Sequence, residues 1–288
     1  MTSPVNPGDI VLGKYRIETV LGQGGMGVVV AARHVDLGQR YAIKFLLPTG
    51  LKHEESVARF LREARASARL QSEHVARVHD VGKMENGAPY MVMEHLDGRD
   101  LKAILKEQGP LPADLAMTYM KQVCDAIAEA HAAGIVHRDL KPANLFLVRR
   151  RNGSPCIKVL DFGISKELGS EEVDLTSTNA TLGSPLYMSP EQISKSKAVD
   201  PRTDIWALGV ILYELLAGVP PFLGTTVLEV VSRILQEEPM PIRLRRPDVP
   251  ELAEVVISRC LQKKREERFQ TVEELLAVLE HGMLTPLA

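Results

Sequence analysis

Four glycines fall within the six residues of "GQGGMG", Gly22 to Gly27, and a lysine, Lys44, ends the run "YAIK" further along. Backbone N–H groups that no β-carbon shields can approach phosphate oxygens closely, and a lysine is a point charge suited to the same oxygens. Glycine in a strand costs about 0.5–1 kcal/mol relative to alanine, so this density of glycine needs a reason. The G-x-G-x-x-G spacing of Gly22, Gly24 and Gly27 also serves dinucleotide sites and ordinary hairpins. A dinucleotide site needs a helix after the turn and a carboxylate ~20 positions later. Here a β-branched run, "VVVAARHV", follows Gly27, Lys44 stands where the carboxylate would be, and no acid occurs from Leu37 to His53. That excludes the dinucleotide use and leaves a phosphate-covering flap or a loose hairpin turn. A lysine aimed at phosphates needs a carboxylate to hold it. Glu63, at the edge of an apolar stripe beside Phe60 and Ser67, is the candidate, with pairing to Arg59 or exposure to water as the plainer alternative.

The elements that must carry these residues are legible in the pattern. "YRIETVL", "GVVVAARHV", "RYAIKFLL" and "PYMVMEHL" read as mostly antiparallel strands, the first three separated by Gly-rich or Asp-Leu-Gly turns. One helix interrupts them, Glu54 to Leu70, with Val57, Phe60, Leu61, Ala64 and Ala68 at helical spacing. After "LDGRD" the texture turns helical. Leu115 to Ala132 is amphipathic and stopped by Gly134, and Asp204 to Ala217 is apolar on nearly all sides and predicts a buried helix. Thr271 and Glu274 make a capping box before "LLAVL", and a β insert, "NLFLVRRRNGSPCIKVLDFG", turns at Asn152-Gly153. No repeat or low-complexity segment interrupts this order, so the change near residue 96 is the natural lobe boundary.

Composition narrows the function class. With 35 basic against 37 acidic residues there is no global basic field for nucleic acid or anionic lipid. Cys124, Cys156 and Cys260 lie far apart without a CxxC pair, which argues against zinc or a disulfide framework and fits a reducing compartment. No apolar stretch reaches the ~18 residues of a membrane span. The chain as given reads as cytoplasmic, or as the cytosolic domain of a larger or membrane-anchored protein.

Two further stretches, "HRDLKPAN" at residues 137 to 144 and "DFG" at 161 to 163, join "GQGGMGVV" and "YAIK" in an ordered set. Together they resemble the signature of the protein kinase family, and the resemblance runs from about Leu12 to Leu279. It implies an α+β, bilobal protein kinase fold: a small antiparallel β-sheet N-lobe with one main helix, and a larger, mainly helical C-lobe. The limits it implies are a flexible tail at 1–11, an N-lobe at 12–93, a hinge at 94–100, a C-lobe at 101–283 and a tail at 284–288.

The resemblance also assigns roles. Asp139 would orient the substrate hydroxyl and accept its proton, and Lys141, in the "K-P-x-N" form of Ser/Thr kinases, would steady the transferring phosphate. Asp161 and Asn144 resemble the metal ligands, for Mg²⁺ or Mn²⁺. The ATP site would comprise the loop Leu21, Gly22, Gln23, Gly24, Gly25, Met26 and Gly27, with Lys44 on the α- and β-phosphates and Glu63 as its partner. Val29 and Ala42 would join Leu21 over the base, Met93 would be the gatekeeper, Glu94 and Leu96 would offer backbone to the adenine, and Asp100 would bond the ribose.

From Asp161 to Glu191 the chain resembles an activation segment. Thr176 and Thr178 are the expected sites of autophosphorylation in trans, Arg138 the receiver of the phosphate. "MSPE" at 188 to 191 departs from the family's A-P-E by carrying Ser189 in place of alanine. Glu191 would pair with Arg268, and Asp204 would accept hydrogen bonds from the catalytic-loop backbone. The implied function is a Ser/Thr protein kinase of bacterial, eukaryotic-like type, using ATP on protein substrates and self-associating for phosphorylation in trans. A pseudokinase scaffold or nucleotide sensor is the alternative, against which Lys44, Asp139, Asn144 and Asp161 all speak. A small-molecule phosphotransferase is a second, disfavoured by the long Thr-rich segment, and Lys141 speaks against tyrosine specificity.

Overall fold

Alternation of apolar residues along the first hundred positions folds them into one antiparallel sheet with order β1-β2-β3-β4-β6-β5. The strands are β1 (Ile10–Val11), β2 (Tyr15–Gln23), β3 (Gly27–His34), β4 (Arg40–Leu46), β5 (Val78–Lys83) and β6 (Pro89–Glu94), and α1 (Glu54–Ser67) precedes β5. This computed structural model describes residues 5–24, 27–47, 51, 54–84, 87–162, 185–194 and 199–281. The chain divides into two compact units, Met1–Asp97 and Gly98–Ala288.

In the first unit the sheet has two different faces. Tyr15, Ile17, Val28, Val30, Ile43, Phe45 and Val92 bury one, and Leu46 and Met91 on the other pack against Phe60 and Ala64 of α1. Each fully buried large apolar side chain contributes about 1.5–3 kcal/mol, so the stripe of α1 suffices to seat it. The helix stops at Ser67, three residues before the predicted Leu70, and Ala68 is exposed. β5 escapes the alternation rule because Asp80 and Gly82 break up its apolar pattern, and it pairs with β6 through a register shift after Val78.

In the second unit a small sheet, β7 (Gly98–Asp100), β8 (Leu145–Arg149) and β9 (Pro155–Val159), lies in the order β7-β8-β9. The β8–β9 turn runs Arg150 to Gly153, with Gly153 at φ 82° in the left-handed region that favours glycine. The helices are α2 (Leu101–Gln108), α3 (Ala113–Ala132), α4 (Pro190–Ile193), α5 (Arg202–Ala217), α6 (Val227–Gln236), α7 (Ile242–Arg245), α8 (Glu251–Cys260) and α9 (Val272–His281). α5 is the hub, burying every residue but Arg202, Glu214 and Ala217. A β-carbon on its Gly209 would come 2.5 Å from Cys260 Cβ, so glycine lets α8 lie close. The predicted capping box before α9 forms by half. Thr271 Oγ1 accepts from Glu274 N–H at 3.2 Å, but the Glu274 carboxylate takes Gln270 N–H instead of returning to Thr271. All three cysteines are buried thiols outside any disulfide, and among the described residues no helix is long and apolar enough to cross a membrane.

Candidate active site

Sheet register brings the candidate residues of the first unit together. Directly paired residues share a face, so the pairings Val29↔Lys44, Lys44↔Met91 and Ala42↔Met93 put Val29, Ala42, Lys44 and Met93 on the face that α1 covers. Glu63 projects from α1 beside buried Phe60 and Ser67, and its Oε1 lies 3.1 Å from Lys44 Nζ. The two side chains are 18% and 12% exposed, a partly desolvated pair in which the attraction exceeds that of a surface pair. Glu63 therefore meets Lys44, as its place beside the stripe allowed.

The glycines are not equivalent. Gly24 N–H donates to Gly27 O at 2.9 Å and closes the hairpin. Among the described residues a β-carbon on Gly22 or Gly24 would meet nothing within 4 Å, whereas one on Gly27 would come 2.8 Å from Phe45 O. Gly27 is thus required by the β3–β4 packing, and no described residue gives the bareness of Gly22 and Gly24 a packing cause. Gln23 is exposed at the end of β2, and Gly25 and Met26 lie outside the described residues. Leu21 is 51% exposed, while Ala42 is buried and Val29 half-buried, so core packing accounts for Ala42 but not for Leu21. Glu94 ends β6, its N–H donating to Arg77 O and its Oε1 accepting from Arg77 N–H, and Leu96 follows partly buried.

The second unit positions its residues by buried hydrogen bonds. Asp204, 1% exposed on α5, accepts from Arg138 N–H at Oδ1 and from His137 N–H at Oδ2, both at 2.8 Å. His131 Nε2 on α3 also lies 2.8 Å from Oδ2. These bonds hold Arg138 at φ 63°, a conformation that costs a residue with a β-carbon about 1–2 kcal/mol. His137 is fully buried. Its Nδ1 accepts from Asp139 N–H at 3.3 Å and its Nε2 faces Leu160 O at 3.1 Å, which assigns the neutral Nε2–H tautomer. Burial pushes its pKa below the ordinary histidine value, in keeping with that state. Asp139 Oδ2 sits 2.7 Å from Lys141 Nζ, and Asn144 Nδ2 donates to Asp139 O at 2.9 Å, so one short loop gathers a carboxylate, an ammonium and an amide. Asp161 follows β9 exposed at φ 47°, and Phe162 is buried against the His137 ring, centroids 5.0 Å apart. Asp100 also caps α2, its Oδ1 accepting from Ala103 N–H at 2.8 Å.

Glu191 and Arg268 make a two-point pair at 2.8 and 2.9 Å, with Arg268 fully buried. The other Arg268 donors reach the carbonyls of Gln262, Arg202 and Lys263, so all five N–H groups are used.

A family model described as "Protein kinase domain" matches residues 15–280. The chain belongs to the protein kinase family. Its kinase domain is 40% identical over 277 residues to the serine/threonine-protein kinase pkn3 of Myxococcus xanthus, covering 95% of this chain and 50% of that protein. It is 35% identical over 282 residues to the serine/threonine-protein kinase PknB of Mycobacterium leprae, covering 97% and 44%. Among solved structures, the PknI kinase domain of Mycobacterium tuberculosis is similar at a TM-score of 0.73 and 28% identity, over 97% of this chain and 100% of that one. The chain is therefore a kinase domain similar to bacterial serine/threonine-protein kinases, with the kinase fold the motifs implied. The chain spans about half the length of the curated relatives it matches.

Thr176 and Thr178, the expected phosphorylation sites of the kinase, lie outside the described residues. Several side chains around the loop were not foreseen. His131 and Thr203 have no local signal, because only folding brings them to Asp204 and Ser189. Gln192 had one: Ser189 and Gln192 have the S-x-x-Q spacing of a capping box, and the box is present.

Proposed function

We propose that this domain transfers the γ-phosphoryl group of ATP to serine and threonine hydroxyls of protein substrates, with Mg²⁺ or Mn²⁺ as the accompanying cation. The observation that carries the reading is Asp139, placed 2.7 Å from Lys141 Nζ on a loop whose backbone is tied to buried Asp204. Asp139 orients the acceptor hydroxyl and takes its proton, and Lys141 offsets charge on the moving phosphoryl oxygens. Asp161 and Asn144 fit a hard cation by donor type. The Asn144 amide nitrogen is engaged with Asp139 O, so its oxygen is the end that remains for a metal. A cation held there would neutralise phosphate charge.

In the same reading Lys44, held by Glu63, takes the α- and β-phosphates, and the backbone from Gly22 to Gly27 covers the β- and γ-phosphates. Leu21, Val29 and Ala42 pack over the base, Met93 limits its depth, the Glu94 and Leu96 backbones bond the adenine, and Asp100 meets the ribose through Oδ2. The kinase domain, reaching from the N-lobe at 12–93 through the hinge at 94–100 into the C-lobe, phosphorylates a second copy of itself at Thr176 and Thr178. Arg138 receives that phosphate. Its Nε is buried and has no hydrogen-bond partner among the described residues, which suits an arginine awaiting an anion.

The test is phosphate transfer to a generic Ser/Thr protein substrate with ATP and Mg²⁺, together with fragment mass spectra of the domain itself. Asp139→Asn and Lys44→Met are each expected to lower kcat/KM by ~10²-fold or more. Equal activity in all three proteins would overturn the mechanism, and spectra without phosphate at Thr176 or Thr178 would overturn the regulatory part.

A further inference from the structure

Asp139 projects from a peptide unit that is gripped at both ends. The Asp139 N–H donates to His137 Nδ1 at 3.3 Å, and the Arg138 oxygen accepts from Gln192 Nε2 at 3.0 Å. We infer that Gln192, on α4, is a positioning residue for phosphoryl transfer, its side-chain amide fixing the peptide plane that carries Asp139. The inference rests on the phosphotransfer reading above.

The direction of the Gln192 amide follows from its other partner. Ser189 N–H lies 3.0 Å from Gln192 Oε1, and a backbone N–H can only donate, so the oxygen must face Ser189 and the NH₂ end must face Arg138 O. The base of the side chain is anchored on both sides. Ser189 Oγ lies 2.6 Å from Thr203 Oγ1, both buried, and Thr203 adjoins Asp204, which holds the Arg138 N–H. Glu191 is locked by Arg268. One helical turn thus closes a ring of hydrogen bonds, running from the Arg138 oxygen through Gln192, Ser189, Thr203 and Asp204 back to the Arg138 N–H. The residue inside the ring has φ 63°, and a non-glycine residue released from such restraints returns to negative φ. Turning that residue would re-aim the Asp139 carboxylate. Ser189, which stands where the family pattern has alanine, supplies the hydroxyl that joins the two halves of the ring.

Gln192→Glu separates positioning from stability. Glutamate suits the same capping position and keeps an oxygen for Ser189 N–H, but when ionised it has no N–H for Arg138 O. We expect kcat to fall about tenfold, the cost of one such bond, with KM for ATP changed less than about twofold and the melting temperature near wild type. Amide hydrogen exchange at residues 137–140 should accelerate. The ratio of variant to wild-type kcat should rise at acid pH, where a protonated carboxyl can donate again. Gln192→Leu, which loses both contacts, should show the same fall in kcat with a lower melting temperature. Wild-type kcat and wild-type exchange in Gln192→Glu would overturn the inference. Exchange needs no turnover, so a clamp that fails is distinguishable from a domain that transfers no phosphate.

Discussion

Two cation–carboxylate pairs, Lys44–Glu63 in the first unit and Arg268–Glu191 in the second, follow opposite rules. The lysine meets one carboxylate oxygen at 3.1 Å and keeps 18% of its surface in solvent, in a place that sheet register and a helix face define. The arginine is fully buried, meets both oxygens of Glu191 and directs its remaining donors to three carbonyls. The first geometry suits a charge that must also serve a ligand. The second suits an anchor, because a buried guanidinium is tolerable only when every donor is answered.

The sharpest way to break the comparison is to remove each cation in turn. Arg268→Ala should destabilise the protein by about 3–5 kcal/mol, since it strands Glu191 and three carbonyls, whereas Lys44→Met, which strands only the partly solvated Glu63, should cost less, about 1–3 kcal/mol. Urea denaturation measures both, and similar losses would show that the two pairs do the same work.

A smaller contrast lies within the hairpin. Gly27→Ala should lower stability by about 1–3 kcal/mol because its β-carbon meets the Phe45 carbonyl, and Gly24→Val should leave stability unchanged while impairing ATP kinetics. Thermal melts paired with ATP titrations separate the two, and unaltered ATP kinetics in Gly24→Val would remove the flap's role.

A further set of expected effects is the pH slopes of the second unit. Burial holds the folded-state pKa of His137 below its unfolded value, so the stability it supports is present above about pH 6.5 and is lost as pH falls through the folded value. Lys263 has the same sign at alkaline pH. Its Nζ lies 4.2 Å from the Phe222 ring centroid and 5.1 Å from that of Trp206, and desolvation pushes its pKa down to about 8. The unfolded chain binds the proton more tightly, so stability should rise between about pH 8 and 10.5, and Lys263→Met should flatten that slope in melts across the range.

The reach of sequence reasoning follows the same division. "HRDLKPAN" places Asp139, Lys141 and Asn144 within eight residues, so their proximity needed only a loop and a single helical turn at Pro142–Asn144. The strands beside Lys44 were legible because β-branched alternation is local, and the Glu63 side of α1 followed from the apolar stripe. The short, polar β5 was not legible, and neither was the three-residue β7, whose pairing is with the distant β8.

The order of the motifs, the family they mark and the residue types at the site were determined by the sequence alone, because each depends on chemical identity and short spacing. Only the tertiary structure decided which glycine is bound by packing, which histidine joins Asp204 and which amide reaches the Arg138 oxygen. Those are contacts between residues far apart in the chain, such as Gln192 with Arg138 and His131 with Asp204, and their partners are chosen by burial, which leaves each polar atom the acceptor or donor that folding brings within reach.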